Sequence, residues 1–213
     1  MSVVVVTGAT GDAGRAVCSA LLTAGHLVVA VGTDAERLSS VDASSRHVVE
    51  LTDEGAARAL ADAVRAEFGP ADGVVHLVGG WRGGQGDADF VWLERRILTT
   101  LRHVTLAFHD DLTSSEHGRL VVIGSASAEK PTWSNAAYAT VKSAADAWVQ
   151  ALASGWRKAG RAAAVTLVVK AIGDDGTSPG ALADAILPLW SRSAAELNGA
   201  RIDLTPPTKG TDR

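Results

Sequence analysis

The chain has a single cysteine, Cys18, among its 213 residues, so no disulfide can close within it. Structural bridges are therefore excluded, and a reducing, cytoplasmic setting is expected. Clustered positive charge is missing too: 20 Lys and Arg stand against 24 Asp and Glu, for a formal net charge of −4, with no basic run. That excludes the electrostatic footprint of a nucleic-acid binder or of a protein held to an anionic membrane. No apolar run reaches transmembrane length. Met1–Ser2 leads straight into Val3–Val6, without the basic and apolar regions of a secretory leader. His103, His109 and His117 are scattered, so no metal site is expected. What the chain has in quantity is apolar residues, 46%, and 22 glycines. Those figures suit one α/β domain with a sizeable core.

The pattern alternates strand and helix throughout. Strands are predicted at Val3–Val6, Leu27–Val31, His47–Leu51, Gly73–Val78, Leu120–Ile123, Val165–Val169 and Arg201–Leu204. Helices are predicted after the Gly8–Gly14 turn and over Glu54–Phe68, Asp89–His109, Asn135–Ala159 and Ala181–Trp190. Asp34 and Asp53 read as N-caps. The expected architecture is a single domain, residues 1–205: a Rossmann-type, doubly wound parallel sheet in three α/β/α layers. Residues 206–213 read as a loose C-terminal tail. Cys18 falls on the first helix, where a small buried hydrophobe is expected rather than a reactive thiol. His76 reads as a satisfied core histidine inside the fourth strand. Trp81, in the Gly79–Gly86 loop, reads either as a stacking surface or as a cover for the core.

Two stretches carry chemistry. Thr7–Gly8–Ala9–Thr10–Gly11–Asp12–Ala13–Gly14 joins the first strand to the first helix. In that context the glycines permit a tight turn and let a pyrophosphate approach the helix N-terminus. The second stretch is Tyr138–Ala139–Thr140–Val141–Lys142, preceded by Ser125 at the end of an apolar strand. Tyr138 and Lys142 are one helical turn apart on one face. An ammonium near a phenol favours the phenolate, so Lys142 is expected to depress the Tyr138 pKa and allow proton exchange near neutral pH. Ser125, at the carboxyl end of a parallel strand, points into the crevice where ligands bind. Where an acid would accept a ribose hydroxyl, the second strand ends in Gly32–Thr33. A 2′-phosphate is not repelled there and Thr33 can donate to it, which favours NADP(H), with NAD(H) possible. With no arginine beside Thr33, the preference is expected to be modest.

Over essentially its whole length the chain resembles the short-chain dehydrogenase/reductase family. The likeness rests on the Thr-Gly-rich turn, Ser125, the Tyr138/Lys142 pair and Asn198–Gly199–Ala200–Arg201–Ile202, in the family's order. It implies Tyr138 as proton donor, Ser125 as binder of a substrate carbonyl and Lys142 as holder of the nicotinamide ribose. It implies cofactor contacts at Gly8, Thr10, Gly11, Asp12, Ala13, Gly14, Thr33, Glu50, Leu51, Val78, Gly79, Gly80, Tyr138 and Lys142. The family's helix Asn, which holds a proton-relay water, falls at Thr99. Other departures are Asp12 at the usual second Gly, His76–Gly79 for Asn-Asn-Ala-Gly, Ile172–Gly173 for Pro-Gly, and a lid cut to Asp174–Gly180. The glycine spacing, the Trp81 loop and Thr99 look like the dihydropteridine reductase branch, although that branch lacks the serine found at Ser125 and has an acid where this chain has Gly32. The function implied is an NAD(P)H-dependent reductase of a small carbonyl or imine compound. A non-catalytic NAD(P)-binding sensor or scaffold and a pteridine reductase are the alternatives. The expected partners are a small-molecule substrate and further copies of the chain, as homodimer or homotetramer.

Overall fold

A computed structural model of the chain describes residues 1–206. Seven strands form one parallel sheet: β1 (Val3–Thr7), β2 (Leu27–Gly32), β3 (Ser45–Val48), β4 (Gly73–His76), β5 (Arg119–Ser125), β6 (Ala163–Val169) and β7 (Arg201–Asp203). Their order is β3-β2-β1-β4-β5-β6-β7. From β1 the chain winds outward one way to β3 and then the other way from β4 to β7. The carboxyl ends of β1 and β4 therefore flank the point where the winding reverses, which is where a doubly wound sheet opens a crevice.

The valines of β1 show why the sheet is covered on both faces. All five residues of β1 are buried. Val3 and Val5 enter the core beneath α3 (Glu54–Phe68) and α7 (Ala136–Trp156), while Val4 and Val6 enter the core beneath α1 (Asp12–Thr23) and α8 (Pro179–Ile186). The two-residue period of a strand thus feeds two cores, and each valine removed from water contributes about 1.5–3 kcal/mol. Cys18 is fully buried in the second core, and burial pushes its thiol pKa up to about 12. It packs as a hydrophobe, as expected.

Asp34 caps the short α2 (Ala35–Ser39) by accepting from the Arg37 amide at 2.9 Å, and Asp53 caps α3 by accepting from the Ala56 amide at 3.1 Å. β4 ends at His76, two residues short of the expected Val78, and three further elements differ from expectation. β3 lies two to three residues earlier than the apolar pattern suggests, which leaves Glu50 and Leu51 beyond the sheet. The helix expected over Asp89–His109 is broken into α4 (Asp87–Leu93), a π-helical turn (Glu94–Thr99), α5 (Thr100–Ala107) and α6 (His109–Ser114). At the wide turn the Thr100 hydroxyl donates to the Arg96 carbonyl at 2.6 Å, a side-chain bond that competes with the helical ladder. Finally, α8 gives way to a 3-10 turn over Leu187–Trp190, because Pro188 has no amide to continue the α ladder. A last short helix, α9 (Ala194–Leu197), precedes β7. Of the tail expected at 206–213, all but Pro206 lies outside the described residues.

Candidate active site

The crevice is a cavity of about 450 Å³ at the carboxyl ends of β1, β2 and β4. Gly8, Thr10 and Gly11 form one wall, Thr33 and Arg37 a second, Glu50 and Leu51 a third, and Val78 and Gly79 a fourth. Gly8 holds a φ of +72°, and a Cβ there would sit 2.9 Å from the Leu77 carbonyl carbon. A Cβ at Gly14 would sit 2.4 Å from the Gly8 oxygen, so helix α1 starts pressed against the turn. Gly11 is the N-cap and offers no side-chain bond, which leaves first-turn amides of α1 available to an anion. The structure thus contains a turn with no room for a side chain at Gly8 or Gly14, open at a helix N-terminus, and it fits a dinucleotide pyrophosphate. Asp12 and Ala13 lie on that first turn without lining the cavity, and the Asp12 side chain is exposed. This explains how an acid is tolerated at the second glycine of the pattern.

Ser125, Tyr138 and Lys142 come together beside this cavity. The Ser127 amide donates to Ser125 Oγ at 3.2 Å, which leaves the serine hydrogen free, and the Ser125 hydroxyl lies near enough to the phenol to pull the Tyr138 pKa down. Lys142 is 6% exposed; its Nζ donates to the Ile123 carbonyl at 2.8 Å and lies 5.9 Å from the Tyr138 ring centroid. Burial pulls the Lys142 pKa down to about 8, opposed in part by the charge of Asp146. The expectation that Lys142 depresses the tyrosine is not met in the chain alone. Burial pushes the Tyr138 pKa up, and the Ser125 hydroxyl pulls it partly back. Desolvation of the phenolate outweighs an ammonium that is itself desolvated and occupied by a carbonyl.

His76 is a satisfied core histidine. Its Nδ1 lies 2.8 Å from Thr7 Oγ1 and its Nε2 lies 3.3 Å from Thr100 Oγ1. Thr100 gives its own hydrogen to Arg96, so it accepts from Nε2–H, and Nδ1 accepts from Thr7. Burial, with the Lys142 charge, pushes the His76 pKa down to about 3 and keeps the ring neutral.

Gly14, Ser125, Tyr138 and Lys142, like Asp12 and Ala13, are not among the residues that line the cavity, and Thr99 and Gly80 are turned to other partners. Thr99 does not line the cavity; its hydroxyl donates to Glu94 Oε1 at 2.6 Å. The π turn adds a residue to the helix and rotates the next position, Thr100, onto the cavity side. Gly80 does not line the cavity either: a Cβ there would meet Trp92 at 2.5 Å, so its place is packing for the loop. Trp81 is 68% exposed, which removes the reading of it as a core cover. Arg37, Arg95 and Arg96 are cavity residues that the sequence reading missed. Arg37 donates from Nη2 to the Thr10 carbonyl at 3.1 Å. Its signal was present in the Asp34 cap, because a cap at Asp34 sets Arg37 three residues along, back over the first turn.

The model of the short chain dehydrogenase family matches residues 2–173. The chain belongs to the short-chain dehydrogenase family. A short chain dehydrogenase of Pseudocercospora fijiensis (strain CIRAD86) is 27% identical in a 164-residue alignment, with 70% of this chain and 53% of that protein covered. The chain thus spans about half the length of the curated relative it matches. Among solved structures, the NADPH-bound short chain oxidoreductase of Pseudomonas aeruginosa PAO1, described as containing an atypical catalytic center, superposes with a TM-score of 0.87 at 20% identity. That match covers 98% of this chain and 96% of the other. An NAD⁺-bound xylitol dehydrogenase superposes with a TM-score of 0.83 at 20% identity, covering 96% and 97%. These likenesses establish the fold. They do not single out the dihydropteridine reductase branch. Among the described residues no group of His, Cys, Asp and Glu could hold a metal ion, and no helix is long and apolar enough to cross a membrane.

Proposed function

We propose that this short-chain dehydrogenase is an NADP(H)-preferring reductase of a small carbonyl or imine compound, with Tyr138 as general acid. The observation that carries the reading is the gathering of Ser125, Tyr138 and Lys142 at the carboxyl end of the sheet beside the Gly8–Gly14 turn. When bound, the dinucleotide would supply the hydride. Gly8, Thr10, Gly11 and the first-turn amides of Asp12, Ala13 and Gly14 would hold its pyrophosphate. Glu50, Leu51, Val78 and Gly79 would wall its adenosine end. Thr33 and Arg37 on one wall suit a 2′-phosphate, and the arginine strengthens the preference beyond what Thr33 alone implies. Solved proteins of this fold include one bound to NADPH and one bound to NAD⁺.

In the reaction, Ser125 and Tyr138 donate to the oxygen or nitrogen that gains negative charge, and Tyr138 Oη gives up its proton there. The Lys142 ammonium, withdrawn from water, stabilises the phenolate that remains. A groove of about 460 Å³ lined by His109, Trp148, Leu152 and Trp156 is the surface we assign to a second copy in a homodimer. Trp156 is 2% exposed and belongs to the core, so Trp148 is the tryptophan such a contact would use. Light scattering checks the assembly: a dimer mass is expected at micromolar concentration. The activity is tested by fluorescence titration with NADPH and NADH, followed by turnover with a panel of aldehydes, ketones and imines. Saturable NADPH binding with oxidation by at least one of these compounds is expected. Binding of neither dinucleotide at millimolar concentration would contradict the reading.

A further inference from the structure

Arg201 lies in β7, at the edge of the sheet, yet both of its amino groups reach segments that carry the site. Nη1 donates to Asp146 Oδ2 at 2.5 Å, and Nη2 donates to Glu129 Oε1 at 2.8 Å. Asp146 is one turn beyond Lys142 and two turns beyond Tyr138, so the three share a face of α7. The other oxygen of Asp146, Oδ1, faces β5 at Gly124, where an added Cβ would sit only 3.5 Å away. Glu129 closes the short 3-10 turn Ala126–Ala128 that follows Ser125. One guanidinium therefore bridges the helix that carries Tyr138 and Lys142 to the loop that carries Ser125. A planar fork with fixed donors suits two carboxylates from different segments, which a single ammonium could not hold in the same way. The arginine is paired in β7 with Thr166 of β6, so it is fixed to the sheet rather than to either segment it grips.

We propose that Arg201 is a positioning residue, setting the Ser125 loop against helix α7 so that the Ser125 hydroxyl stays beside Tyr138. The proposal rests on the reductase reading of the same site. Ser125 is held as a donor by the Ser127 amide at its own oxygen. Its place beside Tyr138 therefore depends on where the loop sits. Glu129 is the ionic tether on that loop, and Asp146 is the matching tether on the helix.

Tyr138 is the only tyrosine in the chain, so carbon-13 placed at tyrosine Cζ gives a single signal that reports the hydrogen bonding of this hydroxyl. Ser125→Ala sets the signal position for a lost Ser125 hydroxyl. Arg201→Gln and Glu129→Gln are expected to move the wild-type signal most of the way to that position at neutral pH. Arg201→Lys should restore it partly, since one ammonium can grip one carboxylate. NADPH affinity by fluorescence should stay within about twofold of wild type, because neither residue lines the cavity. Glu129→Gln alters an exposed carboxylate, so it reports on the tether even where Arg201→Gln folds poorly. A signal left at its wild-type position in both Gln variants, while Ser125→Ala moves it, would overturn the positioning role and leave the reductase reading standing. A signal unmoved by Ser125→Ala itself would show that the Ser125 hydroxyl does not act on Tyr138, and both the reductase reading and the positioning role would fall with it.

Discussion

The two ends of the sheet treat polar groups differently. At the amino end, Arg119 and Asp111 are buried, and they and the half-buried Asp72 each hold more than one partner. Arg119 is 1% exposed and donates to the carbonyls of Leu189, Gly118, Arg161 and Arg192 at 2.7–3.2 Å. Asp111 accepts from Arg65 at 2.8 Å and from the Ala71 amide at 3.3 Å, and Asp72 accepts from the Val3 amide at 2.9 Å and from Ser115 at 2.7 Å. At the carboxyl end, Lys142 is equally withdrawn from water but gives one hydrogen bond, to Ile123, out of the three an ammonium can make. The first turn of α1 has no side-chain cap. One end closes the fold, and the other keeps bonding capacity that a ligand would complete.

The largest effect on stability is expected at the closed end. Arg119→Met would leave the Leu189, Arg161 and Arg192 carbonyls without their donor, while Gly118 keeps the Ala163 amide, and should cost about 3–5 kcal/mol at about 1–3 kcal/mol for each unpaired buried group. Denaturant unfolding should show this, while NADPH affinity per folded molecule should be unchanged. Loss of NADPH binding in the folded variant would blur the distinction between the two ends.

Lys142→Met should act in the opposite sense. Lys142 protonates at about 8 in the folded chain against an ordinary 10.5. Between those values the unfolded chain binds the extra proton, so wild-type stability rises with pH across that window, and the full cost of burying the ammonium falls below about pH 8. Removing the ammonium should stabilise the protein at pH 7 by about 1–2 kcal/mol, after loss of the Ile123 bond, and should flatten the rise between pH 8 and 10.5. Hydride transfer should be lost in the same variant. A variant less stable than wild type at pH 7 would place Lys142 with the closed end instead.

The smallest effect concerns the mouth of the cavity. Arg37→Ala should weaken NADPH binding about tenfold, or about 1.4 kcal/mol, and leave NADH binding unchanged. Titration of both dinucleotides checks it, and equal losses would assign Arg37 to the Thr10 turn rather than to a 2′-phosphate.

Much of this contrast was legible in the sequence, because it follows from local patterns. The strand–turn–helix around Gly8–Gly14, the caps at Asp34 and Asp53, and the one-turn spacing of Tyr138 and Lys142 are each set within a few residues. What was not legible depends on tertiary placement. Thr100 rather than Thr99 faces the cavity because of a π turn that no simple period reveals. Arg37 reaches Thr10 only because β1 and β2 are neighbours. The upward shift of the Tyr138 pKa comes from burial, which the spacing of an ammonium and a phenol does not contain. The closed end was the least visible: the carbonyls that hold Arg119 come from segments after α8 and before β6, far from it in the chain.

The central claim is that the carboxyl end is a site for proton-coupled reduction with Tyr138 as the acid. Single-turnover oxidation of bound NADPH by an accepted carbonyl compound, in wild type and in Tyr138→Phe, tests it most directly. The substitution keeps the ring and removes only the hydroxyl. A fall of roughly 10²–10⁴-fold in the rate, with NADPH affinity nearly unchanged, is the predicted result. Equal rates in the two proteins would contradict the claim.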